Sequence, residues 1–126
     1  MGEAFRIYLA APWKNRIEAR AARDVLVAAG FYVTSRWLDV DETQTTQQQE
    51  AINDIFDIHN AQALVVLNLS LSEGKAWEQG YAYAMDIPII AVGGPIRCVF
   101  QHLDTIQKVE TLTDAILALK MLSPTV

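Results

Sequence analysis

The run Ala63-Leu64-Val65-Val66-Leu67 constrains this chain more than any other stretch of its length. Short, continuous and apolar, it reads as a buried strand. A loop with two serines and a glycine follows (Ser70, Ser72, Gly74), and then a helix that carries Glu78 within its opening turns. In open α/β sheets, ligands bind where a strand's carboxyl end meets the amino end of the next helix. The free N–H groups and the dipole at that helix end favour anions such as phosphate. Glu78, set between aromatic Trp77 and Tyr81, can lean toward the same crevice. A carboxylate beside an anion-favouring loop is the feature the remaining sequence has to accommodate.

The flanking sequence supplies a sheet for that strand. Residues 5–11 read as a first strand buried on both faces apart from Arg6, and Pro12 ends it. Asn15 and Glu18 have capping-box spacing. Ile17, Ala21, Val25 and Ala29 recur at helical spacing, with Leu26 beside them, and predict the inner face of a first helix that Gly30 stops. Residues 31–35 read as a second strand. Residues 36–49 are polar, and Thr46 with Gln49 repeats the capping-box spacing. Ala51, Ile52, Ile55, Phe56 and His59 mark the face of a second helix. Residues 88–92 give a fourth strand, 97–100 a short turn of helix and 105–109 a fifth strand. Thr111 and Asp114 cap a last helix whose inner face is Leu112, Ala115, Ile116 and Leu119. Such alternation predicts an α/β fold, a parallel sheet covered by helices on both faces. Five strands suggest a flavodoxin-like three-layer sandwich with order 2-1-3-4-5, in one domain spanning residues 1–126. In that order the loops at residues 10–16 and 68–74 form the walls of the crevice.

Composition narrows the function. The net charge of −5 over 126 residues argues against a non-specific nucleic-acid binder. Six of the ten basic residues nevertheless lie in the first 36 positions, which suits either a small anionic ligand or solvated helix faces. Cys98 stands alone, so no intramolecular disulfide forms. Nothing resembles a signal peptide and no apolar run approaches ~18 residues. The expectation is a cytoplasmic protein without a membrane partner.

The chemistry-bearing candidates each have a plain structural alternative. Apolar neighbours can raise the pKa of Glu78, or it is an ordinary helical glutamate on a wet face. Asp54 and Asp57 lie on the second helix, where Asp54 can point into the crevice or both can be solvated charges. Tyr8, near the end of the first strand, can hold a carboxylate by a hydrogen bond or simply pack. Ser70, Ser72 and Gly74 make a weak phosphate signal, since serine is also a common N-cap. Lys14 and Arg16 can supply positive charge from the facing loop, and a guanidinium suits phosphate better. Trp13 or Trp37 can stack on a base or pack in the core. His59 and His102 are too isolated for a metal site, and Cys98 reads as a small buried hydrophobe. Neither GxxxxGK[ST] nor GxGxxG occurs.

Taken together, Tyr8-Leu9-Ala10-Ala11-Pro12, Asn53-Asp54 and Ser72-x-Gly74-x-x-x-Glu78-x-Gly80-x-Ala82 resemble the nucleoside 2-deoxyribosyltransferase family, which includes 2'-deoxynucleoside 5'-phosphate N-hydrolases. Gly30 and Ser35-Arg36-Trp37-Leu38 fit the same resemblance, which runs from Phe5 to about Leu119. It implies that Glu78 is a nucleophile forming a covalent deoxyribosyl intermediate, that Tyr8 orients it, and that Asp54 assists the departing base. It implies no metal or cofactor, a small deoxynucleotide or deoxynucleoside as partner, and a homodimer or larger homo-oligomer. Ser72 occupies a position where transferases of free nucleosides tend to carry aspartate and nucleotide hydrolases a phosphate-holding serine. That points to hydrolysis of 2'-deoxynucleoside 5'-monophosphates, with base exchange between nucleosides or a binding module without turnover as alternatives. Three features depart from the pattern: Glu73 leaves negative charge beside Ser72, the loop Trp13-Lys14-Asn15-Arg16 is not glycine-rich, and the tail at residues 122–126 lacks the asparagine of typical transferases.

Overall fold

The structure, a computed structural model, describes residues 3–96 and 98–123. Five strands are connected by helices: β1 (Arg6–Ala10), β2 (Tyr32–Val33), β3 (Ala63–Leu67), β4 (Ile89–Val92) and β5 (Ile106–Val109). The α-helices are α1 (Arg16–Ala28), α2 (Gln47–His59), α3 (Glu73–Ala84) and α4 (Leu112–Leu122). All strand pairs are parallel, and the order is β2-β1-β3-β4-β5, as the alternation predicts. The register places Ile7 opposite Ala63 and Leu67 opposite Val92. Every residue of β3 is buried, so this central strand is covered on both faces, which is why it carries no polar alternation.

Local chemistry sets the element ends. Gly30 adopts φ +101°, with its N–H on the Val27 carbonyl and the Phe31 N–H on that of Leu26, the paired bonds of a Schellman motif. Side-chain oxygens of Thr46, Ser72 and Thr111 accept from backbone N–H groups at the starts of α2, α3 and α4. Asn15 holds the N-cap position of α1 without capping it; its amide donates to Glu18 Oε2 at 2.9 Å instead. The predicted second strand ends early, at Val33. Ser35 Oγ accepts from Leu9 N at 2.7 Å and donates to Leu9 O at 3.2 Å, so a side chain replaces the ladder there. The chain then turns through a 3-10 helix over Arg36–Asp39.

Two predicted helix faces need correction. On α1 the buried residues are Ala19, Ala22 and Leu26, whereas Ile17 is 79% exposed and Val25 49%. On α2 they are Asp57 and Ile58, whereas Ile52, Phe56 and His59 face outward. α4 follows the prediction, with Ala115 and Leu119 buried and Leu112 and Ile116 packed against the core. The expected turn of helix near residue 97 is a 3-10 helix over Val99–His102. Arg97 itself lies outside the described residues, as do Pro124, Thr125 and Val126 of the tail. Cys98, expected to be buried, is half-buried. No helix among the described residues is long and apolar enough to cross a membrane.

Candidate active site

Tyr8 lies in the middle of β1 with its side chain fully buried. Its hydroxyl reaches α3 and donates to Glu78 Oε2 at 2.5 Å. Burial, and then the negative charge of Glu78, push the Tyr8 pKa well above its ordinary value, so the phenol stays a donor. α3 starts at Ser72, whose Oγ accepts from Lys75 N at 3.1 Å, and this start sets the rotation that turns Glu78 inward. Burial raises the Glu78 pKa to about 8; the Tyr8 hydrogen bond opposes that shift, and the charge of Asp54 adds to it.

Asp54 faces this pair from α2, which packs against α3. A cavity of ≈ 230 Å³ between the two helices is lined by Asp54, Glu78, Gly74, Ala51, Ile55 and Trp77. Burial raises Asp54 to about 7, with the charges of Asp57 and Glu50 adding to the shift and Arg36 opposing it. Asp57, read as a possible solvated charge, is 4% exposed. It accepts from Arg36 N at 3.1 Å and from Arg36 Nε at 3.0 Å, and Arg36 Nη2 lies 2.9 Å from its Oδ1. The ion pair fixes the turn after β2 to α2, three residues after Asp54 and within one helical turn of it. A second cavity of ≈ 440 Å³ shares Asp54 and Ala51 and is bounded by Trp13, Thr45 and Glu50. A flat group seated above Asp54 can therefore meet the Trp13 ring.

The two expected crevice walls touch directly. Ser70 Oγ in the β3–α3 loop donates to Asn15 Oδ1 in the β1–α1 loop at 2.9 Å. Ser72 uses its oxygen as the α3 cap, which leaves its hydroxyl proton to donate elsewhere. The amides of Glu73 and Gly74 precede the first intrahelical bond, so the loop end presents donors as anion sites do.

Arg16 departs from its expected role. Its Nη2 donates to the carbonyls of Leu38 at 3.3 Å and Val40 at 2.8 Å, and the guanidinium stacks 4.1 Å from the centre of the Trp13 ring. It braces the segment after β2 and fixes Trp13, because two carbonyls at a 3-10 helix end need a donor. Lys14 is exposed. The cation beneath the Ser70–Ser72 loop is Lys75, which sequence reasoning missed. Its position on the same helix face as Gln79 and Ala82 was the available signal.

Fold and site together describe an α/β chain with a buried, tyrosine-held carboxylate and a second carboxylate at the switch point of a 2-1-3-4-5 sheet. Solved structures share this fold, among them the following three. The CMP N-glycosidase BcmB of Clostridium botulinum superposes with a TM-score of 0.63 at 18% identity, over 92% of this chain and 98% of that one. The 2-deoxyribosyltransferase of Bacillus psychrosaccharolyticus gives 0.67 at 21% identity, over 88% and 90%. A conserved protein from Enterococcus faecalis V583 gives 0.62 at 16% identity, over 94% and 98%. No protein-family profile and no curated protein sequence matches the chain. The resemblance to nucleoside 2-deoxyribosyltransferases read from the sequence thus has its counterpart in the fold.

Proposed function

We propose that this chain is an enzyme that cleaves the N-glycosidic bond of 2'-deoxynucleoside 5'-monophosphates. The observation that carries the reading is the Tyr8–Glu78 pair facing Asp54 across the α2–α3 cavity. An ionised Glu78 oxygen attacks C1', the C1'–N bond breaks, and the base leaves with a proton from Asp54. Water then attacks C1' of the glutamyl ester, Asp54 takes its proton, and deoxyribose 5-phosphate is released. Splitting one displacement into two steps is the general use of a carboxylate nucleophile. Tyr8 stabilises the ionised carboxylate and fixes its rotamer. Trp13 offers a ring to the base, and Ser72, with the amides at Gly74, offers donors to the 5'-phosphate. The likeness to an N-glycosidase of a nucleoside monophosphate supports the substrate class.

Base exchange between nucleosides is the second reading. It is favoured by the likeness to a 2-deoxyribosyltransferase and by Glu73, which puts negative charge beside Ser72. We place the working site in a homodimer or larger assembly, because apolar Trp77 stands exposed at the cavity and Phe56 stands exposed on α2. Chromatography of reactions with matched monophosphates and nucleosides, run beside Glu78→Ala, separates the readings. Free base released from monophosphates and lost in the variant is the expected result. Base exchange on nucleosides with little hydrolysis would replace the hydrolase with the transferase.

A further inference from the structure

Lys75 is 8% exposed at the start of α3. Burying an ammonium is costly unless its donors are met, and an apolar residue packs there at less cost. Its Nζ donates to the Ser70 carbonyl at 2.9 Å and to Asn68 Oδ1 at 3.4 Å. Its backbone N–H is the one that Ser72 Oγ accepts. One residue therefore holds both ends of the 70–72 loop. A closed ring of amides holds the lysine in turn. Asn68 and Gln101 bond each other twice, at 2.9 and 3.0 Å; Gln101 Nε2 donates to Gln79 Oε1 at 2.7 Å; Gln79 Nε2 donates to the Lys75 carbonyl at 3.2 Å. This ring lines a cavity of ≈ 560 Å³ that Ser72 and Glu73 also border, on the side of α3 away from Asp54. A ring built only for packing has no need of a cation.

We propose that Lys75 is a positioning and specificity residue, a fixed positive charge behind the Ser70–Gly74 loop that makes the site select substrates bearing a 5'-anionic group. This rests on the proposed reading of Glu78 and Ser72. The charge counters that of Glu73 and strengthens the donors at Ser72 and Gly74 toward a phosphate dianion. The uncharged 5'-hydroxyl of a nucleoside gains nothing from it.

The test compares wild type with Lys75→Gln, which keeps donors for Ser70 and Asn68 without the charge, and with Lys75→Met, which lacks both. KM and kcat are measured for a deoxynucleoside 5'-monophosphate and for the matching nucleoside, and melting temperatures report folding. In Lys75→Gln the monophosphate KM is expected to rise by on the order of tenfold. Its kcat and the nucleoside KM are expected to stay within about threefold. An unchanged monophosphate KM, or equal losses on both substrates, overturns the proposal in favour of a packing role. Inorganic phosphate binding by calorimetry supplies a readout that needs no turnover. Tighter binding by wild type than by Lys75→Gln supports the proposal even where the wild type cleaves neither substrate and the proposed reaction fails. Equal binding, or none by wild type, overturns it. Should both variants misfold, shifts of the Ser72–Lys75 amide resonances of wild type on phosphate addition decide in the same sense.

Discussion

Glu78 and Asp54 hold raised pKa values of about 8 and about 7, and each raises the other or is raised by a neighbour's charge. Attack at C1' needs Glu78 ionised, and departure of the base needs a proton on Asp54. The reactive form is thus the singly protonated pair with its proton on the group of lower pKa. That tautomer is the less populated one in the empty site. Activity is expected to follow a bell with flanks near pH 7 and pH 8. Below it both groups are protonated and the nucleophile is lost; above it both are ionised and the acid is lost. Asp54→Asn removes the acid, so the alkaline flank disappears, a single acid flank set by Glu78 remains at or below about pH 8, and the rate falls by roughly 10²–10⁴. Tyr8→Phe removes the hydrogen bond that lowers Glu78, the group of higher pKa, so the alkaline flank moves up. kcat/KM against pH for the three proteins checks both signs; flanks that stay in place in both variants would separate these groups from the chemistry.

The same residue has a stability signature. A carboxylate whose pKa rises on folding leaves the folded state binding more protons than the unfolded one, so its contribution grows less favourable as pH climbs from about 4.5 to about 8. Glu78→Gln keeps a polar group for Tyr8 and cannot ionise. It is expected to stabilise the fold by on the order of 1 kcal/mol at pH 8, discounted for its partial exposure, and by little at pH 4.5. Thermal melts at the two pH values decide it, and a variant less stable at pH 8 contradicts the raised pKa.

At the scale of the elements, Ser72 does two things that substitution can separate. As N-cap of α3 its side chain is worth about 0.5–2 kcal/mol relative to alanine. Aspartate caps equally well but repels a phosphate. Ser72→Ala is expected to lower both stability and monophosphate turnover. Ser72→Asp is expected to keep the melting temperature while losing the monophosphate and sparing a nucleoside. A Ser72→Asp protein that retains monophosphate KM would leave only the cap. What the sequence makes legible follows from the same physics. β3 and the caps at Thr46, Ser72 and Thr111 are legible because burial on both faces and local side-chain acceptors leave a mark within a few residues. The inner faces of α1 and α2 are not. Apart from Leu26 and Ile58, their buried positions are small or polar, Ala19, Ala22 and Asp57, while the large apolar side chains Ile17, Val25, Ile52 and Phe56 point outward. Periodicity finds an apolar stripe without saying what buries it. The Tyr8–Glu78–Asp54 constellation was within reach only through the ordered motif, since the three lie on β1, α3 and α2. Lys75 left only its helical spacing to Gln79 and Ala82, and the partners of its amide ring at Asn68 and Gln101 are distant in sequence.

For the whole molecule, those outward stripes carry a consequence. Trp77, 56% exposed, lines the α2–α3 cavity, and Ile52 at 50%, Phe56 at 64% and Tyr83 at 47% are exposed elsewhere on the same two helices. Large apolar side chains exposed together on two neighbouring helices suit an interaction surface. A second copy of the chain is the proposed cover, joined about a two-fold axis so that the same patch serves both protomers. A stable interface of this kind buries about 1,200–2,000 Å² in total. Covering Trp77 would also narrow the mouth of the cavity and keep Glu78 dry, which ties turnover to assembly. Light scattering at micromolar concentrations is expected to give twice the 14.0 kDa chain mass or a larger multiple. Phe56→Glu is expected to shift the mass toward one chain and to lose base release in proportion, with the far-ultraviolet spectrum unchanged. Phe56 touches Arg36 only through a ring contact at 5.8 Å, so its loss leaves the Arg36–Asp57 pair in place. A wild-type chain that is a monomer and fully active at the same concentration would mean that β1, α2 and α3 of one copy complete the site, and that the apolar stripe serves something other than catalysis.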